Sequence, residues 1–187
     1  MPERVDDPPL DLSRVVVVGT SCSGKTTFAR ALARRLGAEH IELDALNWLP
    51  NWVERQPSEL LALVVEKASG TAWVSDGNYD VTQDLLWSRA TAVVWLDYSF
   101  PLVLWRSVKR TVARVITGDP VCGDNCESWR IAFFSKRSII LWVIKSYPER
   151  QRRYGALFAG GSYPNATKIR LKTPAEAARV LARVTPT

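Results

Sequence analysis

Histidine and cysteine are scarce in this 187-residue chain, which has one of the first and three of the second. An odd cysteine count with no apolar leader ahead of it argues for reduced thiols and against a disulfide framework. Cys122 and Cys126 form a C-x3-C pair, but a zinc site needs two further ligands, and His40, the sole histidine, belongs to a different segment. Metal binding by that pair is therefore not expected. Long apolar runs are missing too: residues 139–144 are among the longest, far below the roughly 18 that read as a membrane span. The first dozen residues hold acids and prolines in place of an apolar core, so no secretory signal is read and a soluble, cytoplasmic protein is expected. Internal repeats and low-complexity stretches are absent as well.

What remains is ordinary globular material, 47% apolar and 24% charged, sufficient for one sizeable core. Residues 1–13 read as a flexible leader and residues 14–187 as a single domain. The net charge of +6 is unevenly spread. Residues 1–100 hold 9 basic against 14 acidic side chains and residues 101–187 hold 16 against 5, so the halves carry −5 and +11. A basic half suits a polyphosphate pocket, nucleic acid or a membrane surface, and charge alone does not choose among them.

The β-branched run at residues 14–18 has the continuous apolarity of a parallel strand buried on both faces. A helix is predicted over 25–36, closed by Gly37, and a second strand over 40–43, ending at Asp44. An aromatic loop over 47–52 leads to a helix over 58–69. Strands are predicted at 71–75 and 92–97, a basic amphipathic helix over 99–117, and a polar loop up to 127. A long helical region, kinked or divided at Pro148, spans 128–157. A fifth strand at 168–171 and a helix capped by Thr173 and Pro174 complete the pattern. This alternation predicts a three-layer αβα architecture with a five-stranded parallel sheet.

Gly19, Thr20, Ser21, Cys22, Ser23, Gly24, Lys25 and Thr26 fit GxxxxGK[ST] at every position, with Thr27 continuing into the helix. The motif follows a buried strand and opens a helix. In that setting backbone N–H groups cradle phosphates, the lysine reaches β- and γ-oxygens, and the Thr hydroxyl ligates Mg²⁺. ATP with Mg²⁺ is the implied cofactor set.

Such a site needs a carboxylate in the Mg²⁺ shell, usually at the end of a strand beside the P-loop strand. Asp76 and Asp97 both qualify: Asp97 ends the more apolar run, and Asp76 is followed by Gly77, which permits a tight turn near the phosphates. Asp44 leaves the second strand at the same carboxyl edge, where it could take a proton from an acceptor hydroxyl or join the Mg²⁺ shell. Arg106, Lys109, Arg110 and Arg114 share one helix face just before the polar loop, so Arg106, Arg110 and Arg114 are candidates for stabilising charge on the phosphoryl group in flight. Trp48, Trp52, Trp129 and Trp142 accompany the acceptor-side loop and the later helices, where rings could sandwich a base, whereas Trp73 and Trp95 sit in strands and should only pack.

The motifs LDALNW, VSDGNY, LWRSVKR and LKTPAE, in that order after the P-loop, resemble those of the adenylate-kinase-like proteins of the DNA topology modulation family. The resemblance spans residues 14–183. It implies a nucleotide-kinase-like P-loop fold with strand order 2-3-1-4-5, ATP and Mg²⁺ at residues 19–26, a lid near 118–128, and an acceptor site lined by 44–58 and 76–79. It also favours Asp76 over Asp97. Nucleoside monophosphate kinases follow their third strand with Asp-Gly-x-Pro-Arg, whose arginine holds the acceptor phosphate, but here Asp76-Gly77 is followed by Asn78-Tyr79. The expected activity is γ-phosphate transfer to a small nucleotide, nucleoside or other hydroxylated acceptor. The alternative is an ATP-binding, nucleic-acid-associated regulator with slow hydrolysis.

Overall fold

The computed structural model describes residues 10–117 and 138–184. The expected lid at 118–128, Cys122, Cys126 and Trp129 lie outside the described residues.

The β-branched run forms β1 (Arg14–Gly19), and β1 is the central strand of a five-stranded sheet. Next to it on one side lie β5 (Trp73–Asp76) and then β2 (Glu39–Glu42); on the other lie β6 (Ala92–Leu96) and β7 (Thr167–Leu171), every pairing parallel. The order is thus β2-β5-β1-β6-β7. These are the five segments expected in the order 2-3-1-4-5, renumbered because a short antiparallel hairpin, β3 (Trp48–Leu49) and β4 (Val53–Glu54), precedes β5. That hairpin, closed by a 3-10 turn at Pro50–Trp52, replaces the expected aromatic loop.

Side chains alternate between the two faces of the sheet, as the pleat requires. Val15, Val17, Val74 and Val94 pack with α1 (Lys25–Leu36), α5 (Phe100–Thr117) and α7 (Pro174–Arg183). Val16, Val18, Trp73 and Trp95 pack with α3 (Pro57–Lys67) and α4 (Asp80–Trp87) on the other face. Trp73 and Trp95 are fully buried, the packing role expected of them.

Three local readings are corrected. β2 ends at Glu42, and residues 43–47 form a one-turn helix, α2 (Leu43–Asn47), so Asp44 sits in a helical first turn and not at a strand end. The segment after Gly77 holds α4, which the sequence reading leaves unassigned; at eight residues it is too short to show periodicity and is held by burial of Leu86 and Trp87. Finally, of the two readings at Pro148, kinked or divided, division is excluded: α6 (Ile139–Ala159) runs through the proline as one helix. The hydrogen bond that proline forfeits is tolerated because the helix is anchored at both ends: Val143 and Tyr147 join the first core and Tyr154, Leu157 and Phe158 the second. Helix α6 therefore crosses the carboxyl edge of the sheet.

Candidate active site

β1 delivers the chain into the P-loop, and Gly24, at φ +95°, caps α1 in the left-handed region; Cys22 is left-handed as well, at φ +66°. Left-handed residues within such a turn gather successive N–H groups into an anion-binding concavity. Lys25 is 9% exposed, and its Nζ donates to the Thr20 carbonyl at 3.2 Å, across the loop. Burial pushes its ammonium below the ordinary 10.5, with nearby Asp44 and Asp76 acting in the opposite direction. The Ser23 hydroxyl is buried and has no hydrogen-bond partner among the described residues. A buried cation, an unpartnered hydroxyl and a turn with left-handed residues fit a phosphate chain.

The competition between the two strand-end carboxylates resolves geometrically. Asp76, 2% exposed, accepts a hydrogen bond from Thr26 Oγ1 at 2.6 Å. Asp97 instead accepts from Arg170 Nε of β7 at 2.7 Å and from Gln151 of α6, and the Arg170 guanidinium lies 4.5 Å over the Trp95 ring. Asp97 thus ties α6 to the sheet. Sequence reasoning missed the second partner of Asp76: His40 Nε2 is 2.8 Å from Asp76 Oδ1. The hint was faint, since a lone histidine in a strand acquires meaning only when its neighbour strand is known.

On the acceptor side, Tyr79 OH donates to Asp44 Oδ1 at 2.8 Å. Asn78, in the position after Asp76-Gly77, donates through Nδ2 to the Gly19 carbonyl at 2.7 Å and accepts from Tyr154 OH at 2.8 Å. Burial pushes the Tyr154 phenol above its ordinary 10. Asn78 therefore links the P-loop to α6 and offers no charge to an acceptor. Trp48 and Trp52 meet edge to face, 5.6 Å between centroids, and the backbone N–H of Trp48 donates to the Asp44 carbonyl, which places this pair one helical turn from Asp44. Trp142 is exposed on α6.

Of the α5 arginines, Arg106 donates to the Ser23 carbonyl at 2.9 Å and covers the Tyr98 ring. Arg110, one turn on, is close enough to Lys25 to depress its ammonium further, and its buried Nε has no hydrogen-bond partner among the described residues. Arg114 follows after another turn. Thr27 is exposed on the first turn of α1.

This arrangement is the αβα fold of P-loop kinases. Among solved structures, a shikimate kinase from Acinetobacter baumannii is 17% identical, with 94% of this chain and 92% of that chain covered and a TM-score of 0.57. A sugar kinase from Janibacter sp. HTCC2649 is 18% identical, with 94% and 97% covered and a TM-score of 0.52. At these identities the likeness establishes the fold alone. The chain belongs to the AAA domain family, whose model matches residues 15–113, just over half of its length and the part that carries the P-loop, Asp44, Asp76 and Arg110. No curated protein matches the sequence.

Proposed function

We propose that this protein is an ATP-dependent phosphotransferase that moves the γ-phosphate to a small hydroxyl-bearing acceptor. The observation that carries this reading is the convergence of buried Lys25, the Thr26–Asp76 pair and Asp44 at one edge of the sheet. Mg²⁺ suits the Thr26 hydroxyl and the Asp76 carboxylate, because it takes oxygen ligands and typically one or two carboxylates, the rest being phosphate and water. Bound there, it would neutralise charge on the phosphates.

In the proposed reaction the acceptor oxygen bonds to the γ-phosphorus as the bond to the β-γ bridging oxygen breaks, and the hydroxyl proton passes to Asp44. Tyr79 fixes the Asp44 carboxylate. Lys25, Arg106, Arg110 and Arg114 supply positive charge around the transferring group. A hydroxyl acceptor is favoured over a phosphate because Asp80 stands where the Asp-Gly-x-Pro-Arg pattern has its arginine, and the nearby Arg55 and Arg153 are each paired with a carboxylate, Glu59 and Asp80. The motifs around Asp44 and Asp76 support the adenylate-kinase-like subtype, with a nucleoside, a nucleotide or another hydroxylated metabolite as acceptor.

The test is a screen of those three classes for acceptor-stimulated ADP release. With the best acceptor, Asp44→Asn should lower kcat by about 10²-fold or more with little change in ATP affinity. An unchanged kcat would overturn the hydroxyl reading, and larger losses from Arg110→Ala than from Asp44→Asn would point to a phosphate acceptor. Salt-sensitive DNA binding with no stimulated ADP release would replace the enzyme reading with that of a nucleic-acid-associated regulator.

A further inference from the structure

We propose that His40 is a positioning residue for Asp76, holding that carboxylate at the angle from which it serves the nucleotide-bound cation. The inference rests on the assignment of Asp76 to Mg²⁺ above and adds a residue that the P-loop motif does not contain.

The sheet register creates the contact. β2 and β5 are parallel, with His40 opposite Val74 and Glu42 opposite Asp76. Residues two apart share a face. Val74 lies in the core cluster under α1, and Glu42 is ion-paired at 3.1 Å with Arg30 of α1, so His40 and Asp76 both belong to the face that α1 covers. His40 reaches diagonally from the neighbouring strand to Asp76 Oδ1 at 2.8 Å, while Thr26, on the first turn of α1, takes Oδ2 at 2.6 Å.

An ionised carboxylate only accepts hydrogen bonds, so the His40 Nε2 at this distance carries the hydrogen. Asp76 is the last residue of its strand, registered against Val17 on one side and Glu42 on the other, and is followed by glycine. Two donors from separate elements, one for each oxygen, remove its rotational freedom. When the Thr26 hydroxyl turns to a cation, His40 is the donor that still holds the carboxylate. Partners of this kind set ligand orientation, and their removal typically lowers metal affinity about 10–100-fold. His40 is partly exposed and Asp76 is buried, so the histidine is also the replaceable member of the pair.

The experiment measures binding of a fluorescent ADP analogue to the full chain, with saturating MgCl₂ and with EDTA. The ratio of the two affinities is the Mg²⁺ coupling. His40→Phe keeps a ring and removes the donor; His40→Met does the same with a flexible chain, should the first fail to fold. Both should lower the coupling about tenfold or more and leave affinity in EDTA unchanged. His40→Gln, which returns an N–H at similar reach, should restore the coupling to within about threefold of wild type. Full coupling in the folded Phe or Met variant would overturn the proposal, as would an equal loss with and without Mg²⁺, which marks a merely structural role. A wild-type protein whose ADP affinity ignores Mg²⁺ would overturn the cation assignment of Asp76 itself, and the role of His40 with it.

Discussion

Replacing Gly77 by alanine should be among the most damaging one-carbon changes available in this chain. Gly77 has φ +138°, a conformation that L side chains rarely adopt. Holding a non-glycine residue there costs about 1–3 kcal/mol. The added methyl would also stand 2.7 Å from Leu43 Cβ and 3.1 Å from Leu43 Cδ1. Leu43 cannot retreat easily, being 3% exposed and packed in the core cluster beneath α3 and α4. Overpacking of this kind costs about 1–3 kcal/mol. Together the two effects amount to about 2–6 kcal/mol, which for a chain of this size lowers Tm by about 4–24 °C. Thermal unfolding followed by far-UV circular dichroism measures it. Leu43→Ala alone should cost about 2–5 kcal/mol through the cavity it leaves. The double variant Gly77→Ala/Leu43→Ala keeps Leu43 Cβ and its 2.7 Å clash but removes Cδ1 and Cγ, so it should lose only about 0.5–1 kcal/mol less than the sum. A Gly77→Ala Tm within 2 °C of wild type (about 0.5–1 kcal/mol), or strict additivity in the double variant, would refute the reasoning.

Two further outcomes are expected. Lys25→Met should raise the Tm of the ligand-free protein while abolishing turnover and the stabilisation conferred by ATP with Mg²⁺, because burial disfavours the ammonium that the phosphates require. The sign follows from linkage: a lysine depressed in the folded state penalises folding while it is charged in both states, and the penalty fades as pH rises from its folded pKa towards 10.5. The Tm advantage of Lys25→Met should therefore shrink across that interval, and a variant less stable than wild type at neutral pH would contradict it. Asp97→Asn should cost about 1–3 kcal/mol by weakening the hold on Arg170 and Gln151, with nucleotide affinity unchanged. Asp76→Asn should instead lose Mg²⁺-dependent nucleotide affinity, and equal effects of the two variants on that affinity would refute the distinction.

Much of the molecule is legible along the chain because the signals are local. The β-branched run before Gly19 and the alternation of apolar strands with helical segments come from side-chain chemistry within a few residues of each other. The P-loop is legible for the same reason, since its glycines, Lys25 and Thr26 act through a single turn of backbone. Reading fails where elements are too short to carry a period. Residues 43–54 fold as one helical turn and a two-residue-per-strand hairpin, and α4 is eight residues long. These elements are stabilised by what they pack against, and that lies elsewhere in the chain.

The sequence by itself thus determined the layered architecture, the phosphate-binding loop and the pool of carboxylates and arginines around it. Only the tertiary structure decided which members of that pool act together. Asp76 and Asp97 stand at the carboxyl ends of the two strands that flank β1, and the local pattern does not settle between them. They part because Thr26 and His40 converge on one, while Arg170 and Gln151, more than fifty residues downstream, close on the other. Strand pairing and face parity are long-range properties: a side chain's role there is set by the neighbour that the sheet register supplies, and that neighbour is distant in the chain.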